Sequence, residues 1–522
     1  MQRIFEFLNK NKYIVFFSLY LIARVLLLNV NSAEWGDTYR ILRASNYLQQ
    51  LTYPNDEKRP MLFSALLTIR FVSDQVESGR ITMLILSILT VFAFYLLIER
   101  VGFNLTVNQK FLALILFALN PLFLYWSLRI YADTLFLFFS LIAFVIFYDF
   151  IKKQSYLKLV GLAVISILAI LTRFEGYILF FALFLGLLIT LKNKIPGLVY
   201  LVLFSIFFSI VISNNQIFFY QSPLNSSYVD EANSRTLSIK EILNFSLQLI
   251  FVLGNLFTFY FLAFSKNKVI DFVKKNLVLF FAFGAHLALA FIWYAAVPRL
   301  FLPILPLIII LFVISIDDFF SRTKKVSFSK YLKSISIHEN LHYLIPILLL
   351  AVYILGQKYL KLQFLLTKTT FFGVVILVSL LMILLIYFHF KKTLITLIIS
   401  LNILWAGMFI YLEKDSLKIV NIGAKYLKEN FPSGVVLTND ISSISRFYFA
   451  ENFKYSSKLE SGKNFENEIK DSRARYVLIT NEHNPDLSFT PAKHPYIEVI
   501  GNFSETISGV TFFTIIGEVK SK

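Results

Sequence analysis

No cysteine occurs anywhere in the 522 residues. Disulfides, thiolate metal sites and cysteine nucleophiles are therefore excluded. Histidine is scarce too. His286, His338, His342, His389, His483 and His494 show no metal-ligand spacing, and His286 reads as a satisfied structural side chain. There is no His-Glu-x-x-His motif, no Ser-His-Asp pattern and no Walker loop. Charge is the third deficit: only 16% of residues are charged, against about one quarter in a soluble domain.

Apolar residues take their place, at 57% of the chain. Runs of about 17 to 21 apolar residues recur from residue 13 to about 412, long enough to cross a hydrocarbon core of about 30 Å. The reading is a polytopic all-α membrane domain over 1–412. Spans are expected near 13–30, 81–98, 111–127, 133–150, 157–171, 176–191, 197–213, 244–264, 277–296, 300–316, 342–356, 368–388 and 393–412, about thirteen in all. Residues 61–72 are too short to span and read as an amphipathic interfacial helix. Arg3, Lys10 and Lys12 precede the first run and no small-residue cleavage site ends it, so a retained first span is expected.

The net charge of +18 would suggest nucleic acid in a soluble protein, but no nucleic-acid motif is present. Most lysines instead sit in short loops between apolar runs, where they orient the spans. With the N-terminus inside, each inner loop is rich in lysine. The outer segments are then 31–80, the turns 128–133, 172–175 and 297–299, the loop 214–243, and the short loop holding Lys358 and Lys361. The stretch 31–80 breaks the rule, with Arg40, Arg43, Arg59, Arg70 and Arg80. Either a long loop crosses whatever its charge, or these cations face a phosphate.

Composition shifts at about residue 413, so 413–522 reads as a second unit. An amphipathic helix is expected over 416–430 and a second over 443–450. Strands are expected at 435–438, 476–480, 496–503 and 509–519. This alternation points to a small C-terminal α/β domain outside the membrane. It has no Gly-rich phosphate loop.

Five polar motifs interrupt the apolar part, all on the outer side of this topology. Glu34-Trp35-Gly36-Asp37 follows the first span. A carboxylate there can act as general base, hold a divalent cation, or merely cap a helix starting at Thr38. Lys58-Arg59-Pro60 lies in the same loop. Arg129 and Asp133 meet at a junction of two runs, as do Arg173 and Glu175 in Thr172-Arg173-Phe174-Glu175-Gly176. Charges so near membrane depth tend to be paired or functional. Arg299 follows Pro298 and precedes Pro303 and Pro306, which loosen the head of a span. Arginine suits bidentate phosphate contact, and a snorkelling interfacial arginine is the alternative.

Taken in order, these motifs resemble the C class of membrane glycosyltransferases (GT-C), of the protein-mannosyltransferase and aminoarabinose-transferase type. Glu34-Trp35-Gly36-Asp37-Thr38-Tyr39 looks like the first-loop segment with its aspartate. Lys58-Arg59-Pro60-Met61-Leu62-Phe63 resembles the basic opening of an interfacial helix, with one proline where the family usually has two. Asp133 stands where a second acid starts a later span, and Thr172 to Gly176 resembles a Thr-Lys/Arg-x-x-Gly element. Arg299 to Pro306 resembles Arg-Tyr-x-x-Pro-x-x-Pro with the aromatic displaced by one. The likeness covers roughly 1–320 in motifs and the remainder in architecture.

The resemblance implies an inverting transferase taking a sugar from a polyprenyl- or dolichyl-phosphate donor to a protein, lipid or glycan acceptor outside the membrane. Asp37 would be the catalytic base. Arg59, Arg173 and Arg299 would hold the departing phosphate, with Lys58 as helper. Glu34, Asp133 and Glu175 would be supporting acids. Some branches of the family use a divalent cation, Mg or Mn, and others do not, so the metal stays open. A flippase or transporter of a lipid-linked sugar is the alternative; the lack of an internal repeat and the crowding of polar motifs on one face speak against it. An assembly subunit without chemistry is weighed against by the presence of Asp37. An oligosaccharyltransferase would bring a Trp-Trp-Asp signature, which is missing. The loop 214–243, with Asn225, Tyr228, Asp230, Glu231 and Arg235, is a candidate for acceptor selection.

Overall fold

A computed structural model describes residues 11–101, 104–220, 261–262, 264–292, 298–322, 378, 380–387, 390–431, 433–456, 465–484, 487, 489, 491, 494–507 and 510–520. The expected span 342–356, more than half of 368–388, most of 244–264, most of the loop 214–243, and His338, His342 and His389 lie outside the described residues.

Helix α1 (Lys12–Leu26) is followed by the first loop with α2 (Gly36–Leu48) and α3 (Leu62–Leu66). The expected interfacial helix over 61–72 is thus only five residues long. Then come α4 (Gln75–Arg100), α5 (Val107–Ala118), α6 (Pro121–Ser127), α7 (Ala132–Lys152), α8 (Tyr156–Thr172), α9 (Gly176–Thr190) and α10 (Ile195–Ser213). Further on lie α11 (Lys266–Lys275), α12 (Leu277–Ile292), a 3-10 turn Pro298–Ile304, α13 (Leu305–Arg322) and α14 (Lys391–Glu413). Among the described residues, five segments are long and apolar enough to cross a membrane: α4, α7, α10, Pro298–Arg322, and Lys391–Tyr411 within α14. The chain is an integral, multi-pass membrane protein.

Local chemistry sets several boundaries. Asp74 caps α4 by accepting from the Glu77 N–H at 2.9 Å. Thr106 and Gln109 cap each other at the start of α5. The run read as one span over 111–127 is instead α5 and α6 meeting at 51°. Pro121 supplies no N–H to continue the helix, and the Asn120 side chain caps a new one by accepting from Leu122 N–H at 2.9 Å. In the same way Pro303 keeps 298–304 in a 3-10 turn until α13 begins. At the α8–α9 junction only glycine fits position 176, because a Cβ would stand 2.4 Å from the Ile170 nitrogen. The main core is rich in phenylalanine, with Phe117 stacked against Phe94 at 4.3 Å and Phe123 at 4.7 Å.

After α15 (Lys418–Asn430) the chain forms a five-stranded sheet from β1 (Val436–Thr438), β2 (Phe453–Tyr455), β3 (Tyr476–Thr480), β4 (Ile497–Ile507) and β5 (Val510–Val519), with α16 (Ile444–Phe449) and α17 (Phe465–Ser472) between strands. The order is β2-β1-β3-β5-β4. The first three strands are parallel, and β5 pairs antiparallel with β3 and β4. β2 is a strand that the sequence reading did not contain. Its three residues are too short, and too exposed, to show an apolar run.

Candidate active site

The first loop folds so that an aspartate meets two arginines from distant segments. Asp37 lies in the first turn of α2 and caps nothing: Trp35 is the N-cap residue and no side-chain cap bond forms. Its Oδ1 is 2.7 Å from Arg59 Nη2, and its Oδ2 is 3.4 Å from Arg299 Nη2. Arg59 is held in turn by Glu57, which is 1% exposed and accepts from both the Arg59 backbone N–H and Nη1 at 3.0 Å. Arg299 lies over the rings of Tyr131, at 4.6 Å, and Trp126, at 5.5 Å. Those two faces steady a guanidinium without neutralising it. Lys58 is half-buried on the same turn as Arg59.

A second cluster sits at the junctions of the spans. Arg173 ends α8 and donates to Asp133 Oδ1 at 2.7 Å and to Glu175 Oε2 at 3.1 Å. Asp133, like Asp37, makes no cap: α7 is capped by Tyr131 without a side-chain bond. This second cluster borders a cavity lined by Asp133, Arg173, Glu175 and His286 among others, and Arg299 of the first cluster also lines it. Arg299 is the shared member, paired with Asp37 and lining the cavity.

Burial by itself would raise the Asp37 pKa; Arg59 first and Arg299 second outweigh it and hold the carboxyl below its ordinary value. The group is therefore ionised at neutral pH and strongly engaged. The arginines are engaged by a carboxylate that an incoming phosphate could replace.

Residues 58–213 match the family of dolichyl-phosphate-mannose-protein mannosyltransferases. Two solved structures of ArnT from Cupriavidus metallidurans, one bound to undecaprenyl phosphate and one in the apo state, each superpose with a TM-score of 0.58 at 14% identity, covering 97% of this chain and 98% of theirs. In sequence and in fold, the chain resembles the GT-C membrane glycosyltransferases. At that identity the structural likeness speaks for the fold. No curated protein matches the chain.

Within this GT-C-like architecture the predicted residues divide. Asp37, Arg59 and Arg299 form one cluster, and Asp133, Arg173 and Glu175 form the neighbouring one. Glu34 goes elsewhere: it is fully buried and paired with Arg80 Nε at 2.8 Å, while Arg80 Nη2 donates to the Asn31 carbonyl at 2.6 Å. That pair ties the first loop to the head of α4. Among the described residues no three acids or histidines gather closely enough to hold a metal ion.

Three contributors escaped the sequence reading, and a fourth, His286, is read there as a structural side chain. Glu57, directly before Lys58, was readable as an acid next to a basic pair. Trp126 and Tyr131 look like any interfacial aromatics until they are placed under a guanidinium. His286 lines the cavity with Nδ1 2.7 Å from the Ala282 carbonyl; nothing in the local sequence separates it from a structural histidine.

Proposed function

We propose that the protein is an inverting glycosyltransferase using a polyprenyl-phosphate sugar as donor and an extracytoplasmic protein, lipid or glycan as acceptor. The observation that carries this reading is the meeting of Asp37, Arg59 and Arg299, with Arg299 also facing the cavity of Arg173. The family match over 58–213 and the ArnT-like fold support it.

The acceptor hydroxyl oxygen attacks the anomeric carbon, and Asp37 takes the hydroxyl proton. The bond between that carbon and the phosphate oxygen breaks, and the electron pair leaves with the polyprenyl phosphate. Arg59, Arg173 and Arg299 stabilise the charge growing on that oxygen, with Lys58 as helper. Preorganised cations at a leaving group lower a barrier more than the same contacts in water. Attack opposite the departing phosphate gives inversion. Donor phosphate competes with Asp37 for Arg59 and Arg299. As the arginines turn to the phosphate, the carboxylate loses its partners and becomes a stronger base.

The test is transfer of labelled sugar from polyprenyl-phosphate hexoses by purified protein and by Asp37→Asn, with membrane lysate as acceptor. Transfer by the natural chain and its loss in the variant are expected. Equal transfer by both would remove Asp37 from the chemistry. Movement of labelled lipid across a vesicle without consumption of donor would favour a transporter.

A further inference from the structure

Asp37 sits on a helix whose other side belongs to the C-terminal unit. Tyr39, two residues on, is 1% exposed and lies in the apolar core formed with Val420, Leu427 and Ile444. Its ring centre is 5.5 Å from that of Phe447. Its hydroxyl donates to Asn421 Oδ1 at 3.2 Å and accepts from the Glu34 N–H at 3.3 Å. The same Asn421 oxygen accepts from the Tyr448 hydroxyl at 3.1 Å. On the near side, Gly36 presses against the turn after β1, where an added Cβ would stand 2.1 Å from the Ser442 carbonyl oxygen. That turn is pinned by buried Asp440, which accepts from the backbone N–H groups of Ser442 at 2.8 Å and Ser445 at 2.9 Å.

Asp37 is thus bracketed by residues 36 and 39, and both are held by a unit that begins almost 380 positions later. Arg59 and Arg299 come from separate segments, and the spans hold the helix on another side, where Thr38 Oγ1 donates to the Ile130 carbonyl at 3.1 Å. We propose that the C-terminal unit positions Asp37 for transfer, through the Tyr39–Asn421–Tyr448 hydrogen bonds and the close contact of Gly36 with the Ser442 turn. Tyr39 and Asn421 are positioning residues that touch no substrate. The inference rests on the reading of Asp37 as the base.

Tyr39→Phe removes one hydroxyl and keeps the ring in its core. Asn421→Ala removes the shared acceptor, and Asn421→Asp keeps it. The full-length variants are compared for kcat and donor KM with a labelled polyprenyl-phosphate hexose, for Kd with undecaprenyl phosphate, and for thermal midpoint. Tyr39→Phe and Asn421→Ala are expected to lower kcat by about 10- to 100-fold, as a displaced base does, with KM and Kd within about twofold. Their double variant is expected to be no slower than the worse single, as for residues acting through one contact. Asn421→Asp is expected to restore kcat, and Lys425→Ala, in an exposed pair of the same unit, to leave it unchanged.

Wild-type kcat in Tyr39→Phe and Asn421→Ala, alongside an inactive Asp37→Asn, overturns the inference and leaves the transferase reading standing. So does a fall in phosphate affinity parallel to kcat, which would mean general collapse. If the natural chain consumes no donor, the transferase reading fails first. Amide exchange over residues 36–39 then decides, since Tyr39→Phe must raise it while the helical core keeps its protection; unchanged exchange overturns the proposal.

Discussion

One segment, Pro298–Arg322, carries ion pairs of two kinds at its two ends. Its 25 residues rise by at least roughly 35 Å, enough to separate the ends by the thickness of a membrane. At the tail, Asp318 is 1% exposed and takes Lys268 and Arg322, each at 2.9 Å; Asp317 takes Lys391. These pairs join α11 and α14 to α13, and one acid faces two cations that are themselves well exposed to water. At the head, Arg299 shares Asp37 with Arg59, rests on two aromatic faces and lines a cavity. The tail arrangement staples helices together through one oxygen of Asp318, Oδ1, which takes both cations. At the head, Arg59 and Arg299 share Asp37, Arg59 also holds Glu57, and Arg299 lines a cavity together with Arg173. The difference lies in where the cations face, as both ends have similar residue types.

The sharpest break between the two ends comes from Asp37→Asn. It removes the proposed base and is expected to lower transfer by about 10²- to 10⁴-fold, measured as label moved to acceptor. Arg299→Ala follows, with a kcat loss of about 100-fold, the usual cost of one preorganised charge partner, and little change in thermal midpoint. Arg299→Lys is expected to recover only part of it, since an ammonium cannot reproduce the planar fork.

A pH comparison sharpens the same contrast. Free Asp37 is held below its ordinary carboxyl pKa by Arg59 and Arg299 against the effect of burial, so it stays unprotonated down to low pH and kcat/KM should remain flat into the carboxylate range. In the donor complex the arginines serve the phosphate, the carboxyl rises, and the acidic limb of kcat should appear at higher pH than that of kcat/KM. Coincident limbs would mean that the phosphate leaves the Asp37 pairs intact. The smallest effect is expected at the tail. Asp318→Asn should leave kcat unchanged and lower stability by about 1 kcal/mol or less, because its cations are half-exposed. A tail variant as damaging to kcat as Arg299→Ala would erase the distinction.

The charged residues of the candidate site were visible in the sequence. Arg173 and Arg299 stood out because charges are rare in this chain and each lies at the end of an apolar run, and Asp37 and Arg59 because they fall in motifs of the first outer loop. What local sequence could not show is which charge answers which. Glu34 and Asp37 are three positions apart, yet one is buried against Arg80 and the other faces Arg59 and Arg299. Glu34 lies in the loop before the helix and Asp37 in its first turn, and the boundary between them depends on where α2 starts: at Gly36, two residues earlier than the motif suggested. The fold followed the same division. Apolar runs placed α4, α7 and α10 within a few residues, whereas the break at Asn120-Pro121 and the short edge strand β2 were lost. A proline can sit inside a long apolar pattern without changing its hydropathy, and a three-residue strand has no period to read.

By itself the sequence determined that this chain enters a membrane many times, that thiol chemistry is closed to it, and that its few charges cluster at span ends. Those outcomes follow from composition and length, which are local quantities. Only the tertiary structure decided that residues 37, 59 and 299 share one point, that Arg299 joins two clusters, and that Tyr39 is buried in the core of a sheet unit beginning past residue 413. Each of these depends on contacts between positions far apart in the chain, where packing of buried aromatic rings and pairing of buried charges select the partner and no local pattern records the choice.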